Sequence, residues 1–380
     1  MKGKLLLNNM KIAIFGLGTV GYGVYDILQN KTLGIEVSKV FNKNKTLNKP
    51  NLYANTIEEI MEDSKIDAIV ETLGGDSLAY EVIKKALLSR KNVVTANKEV
   101  IAKHLSELTK LKTKMGVSLY YEASVGGGIP LIKTLYRIKT TNKIASIEGI
   151  LNGTTNYILS KMNEGLSFKE SLKLAQELGF AEQDPTNDII GLDAMRKIAI
   201  LAMIAFNKKI ALQSIYTYGI KDLHLDDLVF LKKHHYVLKM LAFVSKKEIG
   251  VEPVAFLTNS LFANVNNEYN AVEITTNLYE KLIFYGKGAG RYPTACAVVD
   301  DLISIKEKEK NYSYQEGGVI NFSNQAHTYY LRVKNSALFN PEIIYYQEQN
   351  QIITKPILLQ NLDFTNIYFY ARIRNEDNNV

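Results

Sequence analysis

Lys11-Ile-Ala-Ile-Phe-Gly-Leu-Gly-Thr-Val-Gly21 decides the fold of the N-terminal part of this chain. Its first five residues form a short apolar run, and Gly16-x-Gly18-x-x-Gly21 follows at once. Beyond it Val20, Val24, Ile27 and Leu28 recur at helical spacing, so the order is strand, glycine turn, helix. The glycines permit a tight turn, close approach of backbone to a pyrophosphate and tight helix–strand packing. The phosphates would sit on the positive end of the helix. Gly16, Leu17, Gly18, Thr19, Val20 and Gly21 are therefore candidates for holding a dinucleotide. A chance glycine turn is the rival reading, and the flanking strand and helix weigh against it.

The pattern then repeats. Strands are expected at 36–41, 68–72 and 92–95, with helices at 56–62 and from the Gly74-Gly75 break to 89. Strands alternating with helices imply a parallel, doubly wound sheet of the Rossmann type. The second strand ends in Val40-Phe-Asn-Lys-Asn-Lys45. An NAD enzyme usually places a carboxylate there for the ribose 2′-hydroxyl, whereas a basic residue tolerates a 2′-phosphate. Lys43 and Lys45 thus favour NADP over NAD, against the alternative of a solvated loop. Thr95-Ala-Asn-Lys98 follows a strand, so Lys98 lies at the carboxyl edge of the sheet, where ligands bind in such folds. A loop lysine is more often simply solvated.

From 118 the pattern changes. A strand at 118–121 runs into Glu122-Ala-Ser-Val-Gly-Gly-Gly-Ile-Pro130, a glycine loop feeding a helix. A strand at 144–151 meets Asn152-Gly-Thr-Thr-Asn156, whose polar residues can cap a helix at 157–163. Helices are expected at 168–179 and 189–206, strands at 251–257, 271–278 and 281–285, and a helix from Pro293 to about 309. The densest polar cluster is Gly179-Phe-Ala-Glu-Gln-Asp-Pro-Thr-Asn-Asp-Ile-Ile-Gly-Leu-Asp-Ala-Met-Arg-Lys197. Glu182, Asp184 and Asp188 crowd a proline-containing loop. Asp193 and Lys197 lie four apart on one helix face. Carboxylates can hold a substrate ammonium, and a lysine can exchange a proton with a reacting oxygen. The competing reading is a surface ion pair worth about 0.3–0.5 kcal/mol.

Composition bounds the rest. The chain has 380 residues, 46% of them hydrophobic and 22% charged, enough for two or three packed domains and against wholesale disorder. One cysteine, Cys296, permits no internal disulfide or cysteine-rich zinc site and is expected in a helix core. No run is long and apolar enough to span a bilayer, and the start has neither the apolar length nor the cleavage site of a signal peptide; a cytoplasmic location is expected. The net charge of +7 could suit nucleic acid, but the lysines are scattered, and a basic surface equally suits anionic substrates and cofactors. The five histidines form no ligand pattern, and His234-His235 reads as a polar surface pair.

Taken in order, these motifs resemble those of homoserine dehydrogenases. The matching segments are GLGTVG at 16–21, ETLGG at 71–75, VVTANKEV at 93–100, YYEASVGGGIPLI at 120–132, LNGTTNYIL at 151–159, GFAEQDPTNDIIGLDAMRK at 179–197 and GKGAGRYPTACAVVDD at 286–301. The resemblance implies NAD(P)H-dependent, reversible reduction of L-aspartate-4-semialdehyde to L-homoserine, in threonine and methionine biosynthesis. It implies that Lys197 gives the proton to the nascent alkoxide and that Lys98 is a second lysine near nicotinamide and substrate. It places Glu182 and Asp193 on homoserine, Asp188 in support and Thr154 in the pocket wall, and it adds Gly288 to the cofactor contacts. It also implies a structural monovalent cation, usually sodium, on carbonyls of Glu122, Val125, Gly127 and Ile129. A homodimer or homotetramer is expected, with neither nucleic acid nor membrane as partner.

The expected architecture is α/β: a Rossmann-type dinucleotide domain over 1–135, completed by the helix near 293–309; an α+β catalytic and dimerisation domain over 136–292; and a short β-rich tail over 311–380. Many members of the resembled family end in a threonine-binding regulatory domain of the ACT type. Here His327-Thr-Tyr-Tyr-Leu-Arg-Val333 resembles its first strand. The Lys-Asn-Ser-Ala-Leu-Phe-Asn-Pro341 that follows does not favour the usual first helix. The tail is therefore expected to be degenerate, with threonine feedback weak or lost. Two rivals stay open: a related amino-acid dehydrogenase, and a catalytically silent NADP-binding regulator.

Overall fold

The computed structural model describes residues 9–45, 47–309, 314, 316–318 and 325–374. The start of the chain, residues 1–8, and the end of the expected tail, residues 375–380, lie outside the described residues. Two compact units divide the chain. One takes the residues up to Thr141 with Met203–Lys209 and Lys287–Gly318; the other takes Asn142–Ala202, Ile210–Gly286 and the described residues from 325 onward.

The first unit opens with β1 (Met10–Phe15), α1 (Thr19–Asn30), β2 (Ile35–Phe41), α2 (Ile57–Met61) and β3 (Ala68–Glu71). It continues with α3 (Ser77–Leu88), β4 (Asn92–Thr95), α4 (Lys98–Met115), β5 (Leu119–Tyr120) and α5 (Ile132–Ile138). The strands form one parallel sheet in the order β2-β1-β3-β4-β5. Every residue of β3 is buried, and so are five of six in β1, as expected of a parallel sheet covered on both faces. The doubly wound expectation is borne out. The sequence reading passed over α4, an 18-residue helix with clear ends. The Asn97 side chain accepts the Glu99 and Val100 N–H groups at its start, and Gly116 closes it at φ 71°.

The second unit begins with β6 (Ile144–Ile150), α6 (Gly153–Asn163), α7 (Phe168–Glu177), α8 (Thr186–Ile189) and α9 (Leu192–Phe206). A single helix was expected over 189–206. Gly191, at φ 89°, interrupts it and separates α8 from α9. Next come β7 (Tyr216–Thr217), α10 (Leu225–Lys233), β8 (Tyr236–Ser245), β9 (Ile249–Leu257), β10 (Tyr269–Thr276) and β11 (Lys281–Lys287). The chain then adds α11 (Arg291–Lys306) to the first unit. This helix buries Ala295, Ala297 and Val298 but leaves Cys296 exposed, contrary to the core placement expected of it.

The tail supplies β12 (Ala326–Val333), β13 (Ile344–Glu348), β14 (Gln351–Thr354), β15 (Ile357–Leu358) and β16 (Ile367–Arg374). They extend the sheet of the second unit, whose order is β11-β10-β6-β8-β9-β16-β12-β14-β13, with β7 on β9 and β15 on β12. The join is β16 lying parallel to β9, Arg372 to Arg374 opposite Val254 to Phe256. Charge reinforces it. Arg372 pairs with Glu248 at 3.2 Å and Glu252 at 2.5 Å, His327 Nε2 lies 3.0 Å from Glu248, and Arg374 pairs with Glu148. On the far side of the tail Tyr330 and Arg332 both donate to the buried Asp227 carboxylate, at 2.7 and 2.8 Å. Among the described residues 325–374 there is no α-helix.

Candidate active site

In the first unit the glycine turn sits at the carboxyl end of β1. A Cβ on Gly21 would stand 1.9 Å from the Gly16 carbonyl oxygen, so only glycine lets α1 pack this close. A Cβ on Gly18 would meet nothing within 4 Å, which leaves that backbone open to a ligand. Gly18 is also the N-cap of α1 and supplies no side-chain acceptor, so a bound phosphate can take the orphan N–H groups of the first turn. Asn42 stands where an NAD enzyme carries its carboxylate, and its Oδ1 accepts the Leu17 N–H at 2.9 Å. Lys43 and Lys45 are exposed; the Lys45 ammonium lies 5.9 Å from the centre of the Tyr53 ring. These features fit a dinucleotide, and the two lysines fit an extra phosphate.

At the ends of β3 and β4 lies a buried network that the sequence reading missed. Burial raises the Glu71 carboxyl above its ordinary range, although Thr95 Oγ1 (2.5 Å) and the Leu73 N–H (2.7 Å) donate to it. Thr95 Oγ1 in turn accepts the Asn97 N–H, and Asn97 Nδ2 donates to the Gly75 carbonyl at 2.6 Å. Together these bonds fix the Leu73–Gly75 turn and the start of α4, whose first residue is Lys98, a half-buried side chain.

The glycine loop at 122–130 is also in this unit. The buried Glu122 carboxylate accepts the Ile132 and Lys133 N–H groups at 2.8 and 2.6 Å, capping α5, while its own N–H donates to Asp301 at 2.9 Å. Gly127 takes φ 53°, and a Cβ there would fall 2.6 Å from the Gly288 backbone. Val125 and Ile129 are buried beside it. Among the described residues no group of three or more His, Cys, Asp or Glu could hold a metal. With the Glu122 carboxylate accepting the Ile132 and Lys133 N–H groups, a cation in this loop would rest on backbone oxygens, a donor set that fits a hard monovalent ion.

In the second unit α9 carries Asp193 and Lys197 at 6% and 8% exposure. The Lys197 ammonium stands 2.7 Å from Asp193 Oδ2 and donates to the Leu151 carbonyl at 2.7 Å. The pair is thus buried, and the solvated i,i+4 reading does not hold. Asn152 Nδ2 reaches the same cluster, donating to Asp188 Oδ1 (2.7 Å) and Asp193 Oδ2 (2.9 Å). Thr154, on the first turn of α6, is buried and donates its hydroxyl to the Phe180 carbonyl at 2.6 Å. Glu182 is exposed, on a loop held by Gln176 Nε2 to the Glu182 carbonyl at 3.1 Å. Asp184 accepts the Thr186 N–H and hydroxyl, which lower its carboxyl and begin α8.

The structure thus brings Asp188, Asp193 and Lys197 together around Asn152, the one member of the cluster the sequence presented only as a helix cap. This is a buried ammonium held by a carboxylate and a carbonyl, in a chain that also carries a dinucleotide turn.

Residues 16–122 match the family model described as homoserine dehydrogenase, NAD binding domain, and residues 130–303 match homoserine dehydrogenase. A homoserine dehydrogenase from Synechocystis is 40% identical over 316 residues, covering 78% of this chain and 73% of the relative. The chain belongs to the homoserine dehydrogenase family. Among solved structures, a homoserine dehydrogenase from Thiobacillus denitrificans superposes with a TM-score of 0.86 at 30% identity, covering 96% of this chain and 98% of that one. A hyperthermophilic archaeal homoserine dehydrogenase in complex with NADPH superposes at 0.69 with 27% identity, covering 80% and 99%. As a homoserine dehydrogenase the chain is an NAD(P)-binding oxidoreductase acting on a CH–OH group. No described helix is long and apolar enough to cross a membrane.

Proposed function

We propose that this chain interconverts L-aspartate-4-semialdehyde and L-homoserine with NADP, and that Lys197 moves the proton on the reacting oxygen. The observation that carries the reading is the buried contact of Lys197 with both Asp193 and the Leu151 carbonyl. An ammonium has three N–H donors, and among the described residues these two contacts account for two of them. The third is available to a substrate oxygen. In the reduction, negative charge grows on the aldehyde oxygen, and Lys197 stabilises it and then protonates it. In the oxidation the neutral amine takes the hydroxyl proton. Asp193 fixes the position of the lysine.

Roles for the other residues follow from the resemblance and their chemistry. Glu182 and Asp193 would orient the amino acid, with Asp188 in support and Thr154 lining the pocket. Lys98 would be a second cation near the reacting centre. Gly16, Leu17, Gly18, Thr19, Val20, Gly21, Lys43 and Gly288 would hold the dinucleotide, whose nicotinamide supplies or accepts the hydride when bound. The carbonyls of Glu122, Val125, Gly127 and Ile129 would hold a monovalent cation, probed by dependence of thermal stability on sodium. A homodimer or homotetramer and a cytoplasmic location complete the proposal.

The test is spectrophotometric: purified protein with L-homoserine and NADP or NAD, following reduced nicotinamide. Homoserine-dependent reduction is expected. Cofactor binding without any homoserine-dependent rate would instead support the silent-regulator reading.

A further inference from the structure

The cap of α6 does more than begin a helix. Asn152 is 5% exposed, and its amide is fully committed. Oδ1 accepts the Thr155 N–H at 2.8 Å and the Thr155 hydroxyl at 3.0 Å, which is ordinary N-cap chemistry. Serine, threonine or aspartate could serve as well there. The two N–H groups on Nδ2 are a different matter. One goes to Asp188 Oδ1 at 2.7 Å and the other to Asp193 Oδ2 at 2.9 Å, residues 36 and 41 positions later in the chain. Only a side chain with an acceptor and a double donor on one plane makes all of these bonds.

We infer that Asn152 is a positioning residue for the Lys197–Asp193 pair, an inference that rests on the role of Lys197 proposed above. The oxygen of Asp193 that receives the amide is the same Oδ2 that faces the lysine. The preceding residue, Leu151, supplies the carbonyl that holds the lysine from the other side. Two consecutive residues thus clamp both partners of the proton-transferring pair, one through its backbone and the next through its amide. The amide carries no charge, so it fixes the carboxylate without competing with the lysine as a counter-ion. It also bridges Asp188 and Asp193, whose like charges would otherwise drive the two carboxylates apart. Without the amide Asp193 loses one of the bonds that set its place beside Lys197, and a misplacement of about 1 Å at a reacting group can cost on the order of 100-fold in rate.

The experiment separates the cap from the clamp. Asn152→Ser and Asn152→Asp both keep an N-cap acceptor. The first loses the double donor, and the second replaces it with a third carboxylate. Both are measured in homoserine oxidation, with a thermal melt and an NADP titration on the same samples. The clamp predicts kcat lowered about 10- to 100-fold in Asn152→Ser and further in Asn152→Asp, with NADP affinity near that of the native protein in both and the melt near native in Asn152→Ser. A Ser variant keeping more than half of the native kcat overturns it, because a cap alone would then suffice. In Asn152→Ser, loss of kcat together with NADP binding or the melting transition also overturns it, in favour of a purely structural residue. Lys197→Ala in the same assay keeps the two claims apart. If that variant stays active, the role of Lys197 fails; if it is dead while the Asn152 variants are active, only the clamp fails.

Discussion

Lys197 Nζ and Asp193 Oδ2 stand 2.7 Å apart across one turn of α9, with side chains only 10% and 8% exposed. At that depth the pair is not a surface decoration. Taking either charge out of water costs several kcal/mol, and their attraction offsets this only while both are present and hydrogen-bonded. Such an arrangement is hard to justify by stability alone and readily justified by a reaction that needs an ammonium at a fixed point.

Asp193→Ala is therefore expected to damage stability as well as rate. It leaves Lys197 buried with the Leu151 carbonyl as its remaining described acceptor, at a cost of roughly 3 kcal/mol. Urea unfolding should show a lower midpoint with an unchanged slope, and kcat should fall at least 100-fold. An unchanged midpoint would mean the lysine finds another partner or solvent.

NADP should be preferred over NAD, and Lys43→Glu should reverse or erase the preference. The basis is the end of β2, where Asn42 is occupied with the Leu17 N–H and the exposed Lys43 and Lys45 follow. Comparing kcat/KM for both cofactors decides it. A native preference for NAD would mean that the two lysines serve only solvent.

Threonine should inhibit weakly or not at all. The described tail is built of β12 to β16 and contains no α-helix beside which an effector could be held as in an ACT-type domain. Its strands are instead spent on extending the sheet through β9. Rates across rising threonine, at subsaturating homoserine, are the measurement; strong cooperative inhibition would show that an effector site survives.

The tail should also detach more easily in acid. Burial alone would raise the Glu248 carboxyl, but the hydrogen bond from His327 and the charges of Arg372 and His327 outweigh it and hold it at about 2. Its neighbour Glu252 moves the other way, pushed up by burial despite Arg372. For Glu248 the folded value lies below the unfolded one, near 4.5, so its stabilisation is complete above about pH 4.5 and is lost as pH falls toward 2. The depression corresponds to about 3 kcal/mol. Glu248→Gln should be less stable than the native protein at neutral pH, with the gap closing across that acid window. A gap independent of pH would remove Glu248 from this role.

Much of this was legible locally. The strand, glycine turn and helix at 11–28 and the alternation after them lead directly to the parallel sheet, because each element buries a face whose period lies within its own few residues. The ends of α4 were equally legible in Asn97-Lys-Glu99 and Gly116, and simply went unread. Other features were out of reach. The pairing of β16 with β9 joins residues more than a hundred positions apart, and nothing in either strand names its partner. Cys296 was misplaced because α11 is apolar on more than one face, so the composition around a residue does not say which side it takes. At the site, the spacing of Asp193 and Lys197 predicted that they share a helix face but not that this face is buried. The hold of Asn152 on both aspartates depends on how β6, α6, α8 and α9 pack, which no spacing encodes.

The most direct test of the account is Lys197→Ala, assayed for homoserine-dependent NADP reduction alongside an NADP titration by fluorescence. The account predicts an affinity for NADP close to that of the native protein, because the lysine acts on the substrate oxygen rather than on the pyrophosphate, together with a rate below a hundredth of native. A variant that binds NADP normally and keeps more than a tenth of the native rate would contradict it, and the proton would have to be carried by another group.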